Sequence, residues 1–139
     1  MERNDDCIFC KIADGEIPAT RLLETERVIS FLDINPVNQG HALVVPKRHV
    51  EDLLGLRQKE LHAAIFAVQR VSRAVVRVTE ADGFNVLQNN GEVSGQEIPH
   101  VHFHVIPRFE DDGFDLGWRQ GSYADGEIEV LRDRILQHL

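Results

Sequence analysis

The stretch HVHFHVI, residues 100–106, constrains this chain more than any other. Three of its seven histidines, His100, His102 and His104, fall within five positions and alternate with Val101 and Phe103, with Val105 following. Alternation of apolar with other residues has the period of a β-strand, in which every second side chain shares a face. Residues 100–107 are therefore expected to form a strand, with the three imidazoles on one side and Val101, Phe103 and Val105 turned into a core on the other. Same-face neighbours lie about 6.5–7 Å apart, so two imidazoles can reach one phosphoryl group. A neutral imidazole nitrogen is a competent nucleophile toward phosphorus, and a protonated one donates to phosphoryl oxygens. An H-x-H strand pair is equally a zinc chelate, and zinc with a bound water would make a hydrolase. Spacing alone leaves both chemistries open.

The segments around this stretch set the fold class. RLLET (21–25) and RVISFLDI (27–34) read as short strands joined by a tight turn, and HALVVP (41–46) as an apolar strand that Pro46 ends. Residues 57–78 form the clearest helix: Leu61, Ile65, Val68, Val75 and Val78 recur at helical spacing and Gly83 lies beyond the end, although no Ser, Thr or Asp marks the start. GFNVLQN (83–89) reads as a strand, NNGEVSGQ (89–96) as a glycine-bearing loop, and GEIEVLRDRILQHL (126–139) as a short amphipathic helix. The acidic run EDDGFD (110–115) reads as a solvated loop, His62 and His138 as surface residues, and Lys47 and Arg48 as solvated strand-end charges. No repeat or linker divides the 139 residues, which suit one domain. Short connections favour an antiparallel sheet, so the class is α+β: about five strands, one long helix and a short C-terminal helix.

A formal net charge of −8 argues against a broad basic face for nucleic acid. No apolar run approaches the ~18 residues of a membrane span, and MERNDDCIFC lacks the apolar core of a secretory signal. A soluble, cytoplasmic protein is expected. In that setting the C-x-x-C of Cys7 and Cys10 suggests a redox or metal pair rather than a structural disulfide. Redox pairs of this spacing usually follow a strand, and none is expected before Cys7. A structural zinc needs four ligands, and His49 and His100 are available to complete a set.

HVHFHVI matches the pattern His-φ-His-φ-His-φ-φ, with φ apolar, without a departure. CIFCKIADGEIPA, ISFLDINPVNQGHALVVPKRHV and NNGEVSGQEIPHVHFHVIPR follow family segments in family order, so most of residues 7–108 resembles the histidine triad (HIT) family of nucleotide hydrolases and transferases. The resemblance implies that His102 attacks the α-phosphorus of a purine nucleotide conjugate, a nucleoside phosphoramidate or a dinucleoside polyphosphate, to give a nucleotidyl-histidine intermediate. It implies that His104 and His41 lie at the phosphate, and that the backbone carbonyl of His100 holds the tautomer of His102. Asn89, Gly95 and Gln96 match the phosphate-holding amide and turn, Asp33 the acceptor of the ribose hydroxyls, and Ile8, Phe9, Phe31 and Ile34 the slot for the base. Where some relatives carry a serine that assists the leaving group, this chain has Glu97. A subset of the superfamily holds a structural zinc with a set such as Cys7, Cys10, His49 and His100, leaving the middle histidine free. The resemblance also implies a homodimer, and it leaves open a nucleotide-binding module that does not turn over. The core of the single domain is then 7–108, with 109–139 an acidic loop and C-terminal helix.

Overall fold

The computed structural model describes residues 2–139. In chain order the elements are α1 (Ile8–Ala13), β1 (Arg21–Glu24), β2 (Val28–Leu32), β3 (Ala42–Pro46), α2 (Gln58–Thr79), β4 (Gly83–Leu87), β5 (Phe103–Arg108) and α3 (Glu127–Leu136). The strands form one antiparallel sheet in the order β1-β2-β3-β5-β4. The histidine-bearing strand is thus flanked on both sides, with His104 between Leu43 of β3 and Leu87 of β4. This is the expected α+β architecture, with one further helix, α1, that sequence periodicity did not reveal.

Both faces of the sheet are covered. Val28, Ala42, Val44, Phe103 and Val105 pack against Ala64, Ala67, Val68, Val71 and Val75 of α2. Ile29, Phe31, Leu43 and Val45 pack against Phe9, Cys10 and Ile12 of α1. Strict alternation along β2 and β3 divides these residues between the two faces, and for that reason both strands read as continuous apolar runs. The apolar pattern read along α2 is only partly its core stripe. Val68 and Val75 are buried, but Leu61, Ile65 and Val78 are not, and the buried contact is made largely by alanines and valines that let the helix lie close to the sheet.

The unmarked start of α2 has a physical explanation. The Glu60 carboxylate accepts the backbone N–H of Arg57 at 2.7 Å and is gripped by Arg48 Nε and Nη2 at 2.5 and 2.7 Å. Arg48 is therefore not a solvated charge. It is buried, it also bonds Glu2 and the Gly55 carbonyl, and it holds the Glu60 carboxyl down at about 2.

Strand β5 begins at Phe103 rather than at His100. Extending the register Val44↔Phe103 would set Val101 opposite Pro46, which has no N–H to give. The chain leaves the ladder there: the N–H of Val101 donates to the Val50 carbonyl at 2.8 Å and that of His100 to Ile98 at 2.8 Å. Gly40, just before His41, has φ +100, and a Cβ there would lie 2.8 Å from Thr79 Cγ2 at the end of α2. Only glycine fits that turn. Among the described residues, no helix is long and apolar enough to cross a membrane.

Candidate functional site

His102 is buried at the entry to β5, its ring edge-on to Phe9 at 5.1 Å and to His104 at 4.9 Å between centroids. Its Nδ1 lies 2.7 Å from the carbonyl oxygen of His100. A carbonyl only accepts, so Nδ1 carries the proton and Nε2 keeps its lone pair. A second chain of contacts fixes His104. The N–H of Val37 donates to His41 Nδ1 at 3.0 Å, which leaves the proton of His41 on Nε2. That N–H faces His104 Nδ1 at 3.0 Å, so the proton of His104 sits on its own Nε2. The backbone thus sets one imidazole as a lone pair and its neighbour as a donor.

Electrostatics keep both neutral. Burial pushes His104 down to about 4, helped by its neighbours His102 and His41. Burial also lowers His102, against the opposing pull of the His100 carbonyl, Asp33 and Glu97. It lowers His41 too, with Asp33 opposing, and the Asp33 carboxylate stands 3.7 Å from His41 Nε2. The sequence suggested a protonated imidazole beside the nucleophile. In the free protein that neighbour is a neutral N–H donor.

Phe9 and Phe31 meet edge-on at 5.8 Å and are buried, while Ile8 and Ile34 are exposed. Asp33, at the end of β2, accepts the N–H of Asn35 at 2.9 Å. Asn89 is half-buried, and a Cβ on Gly95 (φ +102) would lie 3.4 Å from its Nδ2. The amide of Gln96 pins the loop: it accepts from Gly91 N–H at 2.7 Å and donates to the carbonyls of Glu51 at 2.6 Å and Ile98 at 3.1 Å. The backbone N–H groups of Gly95 and Gln96 already bond Glu92 and Gly91 carbonyls, so an anion at this turn would compete with them. The sequence showed a turn here. It carried no signal for the long-range bond from Gln96 to Glu51.

Cys7, Cys10, His49 and His100 gather on the α1 side of the sheet. Cys7 Sγ lies 3.2 Å from His100 Nδ1, Cys10 Sγ lies 3.5 Å from His49 Nδ1 and 3.7 Å from His100 Nδ1, and the two Nδ1 atoms are 3.1 Å apart. A tetrahedral zinc with two sulfur and two imidazole ligands has ligand–ligand edges of about 3.3–3.8 Å, given its bond lengths. Four of the cluster's six edges, at 3.1–3.7 Å, lie close to that range, and all four donor atoms are within 4.8 Å of one another. His100 Nε2–H donates to the Pro46 carbonyl at 2.7 Å, which leaves the Nδ1 lone pair facing the thiols and is the outer contact expected of a metal-ligating histidine. His100 therefore faces two ways: its ring joins the cysteine cluster, and its carbonyl orients His102. A second group with metal-ligand chemistry, Asp33, His41 and His104, has its donor atoms within 4.8 Å of one another.

Fold and site define a histidine-triad α+β domain. A model of the HIT domain matches residues 14–111, and the chain belongs to the HIT family. It is 45% identical over 134 residues to adenosine 5'-monophosphoramidase HNT1 of Saccharomyces cerevisiae, covering 96% of this chain and 82% of the relative. It is 43% identical over 138 residues to adenylylsulfatase HINT3 of Arabidopsis thaliana, covering 97% and 70%. Among solved structures, a HIT family member from Bacillus subtilis superposes with TM-score 0.92 at 38% identity, covering 97% of this chain and 98% of that one. A Zn-bound histidine triad family protein from Mycobacterium smegmatis superposes with TM-score 0.73 at 34% identity, covering 96% and 95%.

Proposed function

We propose that this protein is a nucleotide hydrolase or transferase that cleaves purine nucleotide conjugates at the α-phosphorus through a nucleotidyl-His102 intermediate. The observation that carries this reading is the pair of enforced tautomers, a bare Nε2 on His102 beside an N–H on His104. The His102 lone pair forms the N–P bond. The bond to the leaving group breaks with its electrons going to the departing atom. His104 Nε2–H donates to the phosphoryl oxygens, where charge accumulates. Water or another acceptor then takes the nucleotide and restores His102. Asp33 would accept from the ribose hydroxyls, and Phe9 and Phe31, with Ile8 and Ile34, would hold the base. Asn89 and the turn at Gly95 and Gln96 would border the phosphate. The phosphoramidase and adenylylsulfatase relatives support an adenylate as the transferred group.

Cys7, Cys10, His49 and His100 would hold a structural zinc, a reading supported by the cluster's dimensions and the Zn-bound neighbour. The metal would fix His100, and through its carbonyl the orientation of His102, without touching the phosphate. A reducing cytoplasm would keep both thiols free for that role. The Asp33, His41 and His104 group favours a second reading, a metal-dependent hydrolase. Single-turnover kinetics with a fluorogenic adenosine phosphoramidate, with and without chelator, separate the two. The His102 route gives a burst and an acid-labile adenylyl adduct, both lost in His102→Ala. Turnover without an adduct, lost on chelation while the fold persists and restored by zinc, would favour the metal reading.

A further inference from the structure

We propose that Asn38 and Asp112 are positioning residues for this site: the bond between them holds the turn that joins β2 to β3, so that the Val37 N–H sets the tautomers of His41 and His104. The catalytic consequence rests on the nucleotidyl-His102 reading; the tautomers themselves do not.

The turn runs from Asp33 to His41 and carries the N–H that decides where the proton of His41 sits. The Asp33 N–H closes its base by donating to the His41 carbonyl at 2.9 Å. Of residues 34–39, only Asn38 is not exposed. Its Nδ2 donates to the Pro107 carbonyl and to Asp112 Oδ2, both at 2.9 Å, and its own carbonyl accepts the His41 N–H at 3.0 Å. Pro107 belongs to β5, the strand that bears His104, and Asp112 follows just after it. Asn38 therefore ties the turn that bears Val37 to the strand that bears His104.

Asp112 is firmly held at its own end. The run EDDGFD reads from sequence as a solvated loop, yet the side chain of Asp112 is only 7% exposed. Oδ2 also accepts from Arg108 Nε at 2.8 Å and from the Phe109 N–H at 3.1 Å. Oδ1 accepts from Arg108 Nη2 at 3.0 Å and from the Phe114 N–H at 3.1 Å. Arg108 is fixed in turn by Asn85 Oδ1 on β4 at 2.7 Å. A carboxylate held by four other donors keeps its place, and the Asn38 amide is oriented against it.

The consequence follows from the direction of one hydrogen bond. His41 Nε2 and His104 Nδ1 share a proton across 3.0 Å, and either ring can supply it. With the Val37 N–H on His41 Nδ1, His41 supplies it, and His104 keeps its own proton on Nε2. Without that N–H, the His41 proton can sit on Nδ1. His104 Nδ1–H then donates back to His41 Nε2, and His104 Nε2 is left bare. A lone pair would face the phosphoryl oxygens in place of a donor. Asp33, 3.7 Å from His41 Nε2, is beyond hydrogen-bond reach and does not decide the direction alone.

The test reads the tautomers directly, by long-range hydrogen–nitrogen NMR correlation of the histidine rings at neutral pH. It compares wild type with Asn38→Ala, Asn38→Asp and Asp112→Ala, alongside kinetics with a fluorogenic adenosine phosphoramidate. Asn38→Asp keeps the size of the side chain, and far-ultraviolet circular dichroism checks that each variant is folded. Wild type should show the Nε2–H form of His104. The variants should show a mixture with the Nδ1–H form. Their kcat should fall about tenfold with KM little changed, since outright loss of one such donor costs about 10²–10³ in kcat. His104 found as Nδ1–H in wild type, or held as Nε2–H in both Asn38 variants, overturns the positioning role at any rate of turnover. Shifted tautomers with an unchanged kcat overturn the catalytic consequence and remove His104 as the donor. An adenylyl adduct absent from wild type overturns the proposed function and leaves the tautomers to decide the role of Asn38 and Asp112.

Discussion

His104 is the residue whose protonation should report the chemistry. Alone, it is held down to about 4 by burial and by its histidine neighbours, so above pH 4 the free protein carries it neutral. A nucleotide phosphate brings negative charge to its Nε2–H and raises that value. Binding of AMP near pH 5.5 should therefore take up protons through His104, and affinity should weaken as pH rises through the raised value. The phosphate itself titrates near pH 6, so the contrast with His104→Asn isolates the histidine. Calorimetry in buffers of different ionisation enthalpy should show greater uptake in wild type than in the variant. Equal uptake would remove His104 from the phosphate. At this scale the comb of histidines was legible, because alternation places His102 and His104 on one face. The tautomers were not. They depend on the Val37 N–H and the His100 carbonyl, backbone groups whose direction no residue identity reveals.

The helix α1 shows how an element can depend on a cluster. Its six residues, Ile8–Ala13, are too few to hold a helix alone, and Cys7 at its N-cap makes no side-chain capping bond. Two tethers compensate: Phe9, Cys10 and Ile12 pack on the sheet, and Cys7 and Cys10 meet His49 and His100. Protein purified without chelator should hold about one zinc per chain. Cys10→Ser should lose it, and thermal unfolding should fall by several degrees, because metal binding free energy becomes folding free energy. Clearly substoichiometric zinc, with the same unfolding midpoint in the variant, would refute a structural metal. The sheet and α2 were legible from periodicity. α1 was not, because six residues are less than two turns. The start of β5 was misread because its limit is set by Pro46, fifty-five positions before Val101 in sequence but opposite it in register.

The whole molecule leaves apolar surface that a single chain does not cover. Ile65 and Phe66 on the outer side of α2 are 56% and 61% exposed, and Phe84 and Val86 on β4 are 48% and 41% exposed. β4 is also an edge strand, with backbone groups on one side that no other strand pairs. Two copies meeting about a two-fold axis would cover the helix faces and close both β4 edges against each other, since an isologous contact uses one patch twice. Ile128, Leu131 and Ile135 of α3 are exposed as well, and the amphipathic helix expected from sequence has none of its own residues buried. Leu61 and Ile65 fit the helical period of α2 but are exposed, and such a two-fold contact would account for them. The expected outcome is a dimer in solution light scattering, about twice the 15.8 kDa of the chain. Phe66→Glu should raise the dimer dissociation constant by at least ~100-fold, since each tenfold needs only about 1.4 kcal/mol and the substitution would put a charge into the apolar contact of each copy. Because Phe66 points away from the core, the variant should keep its far-ultraviolet circular dichroism. A wild-type protein that is monomeric at tens of micromolar, or a Phe66→Glu variant that stays dimeric, would place the contact elsewhere or remove it.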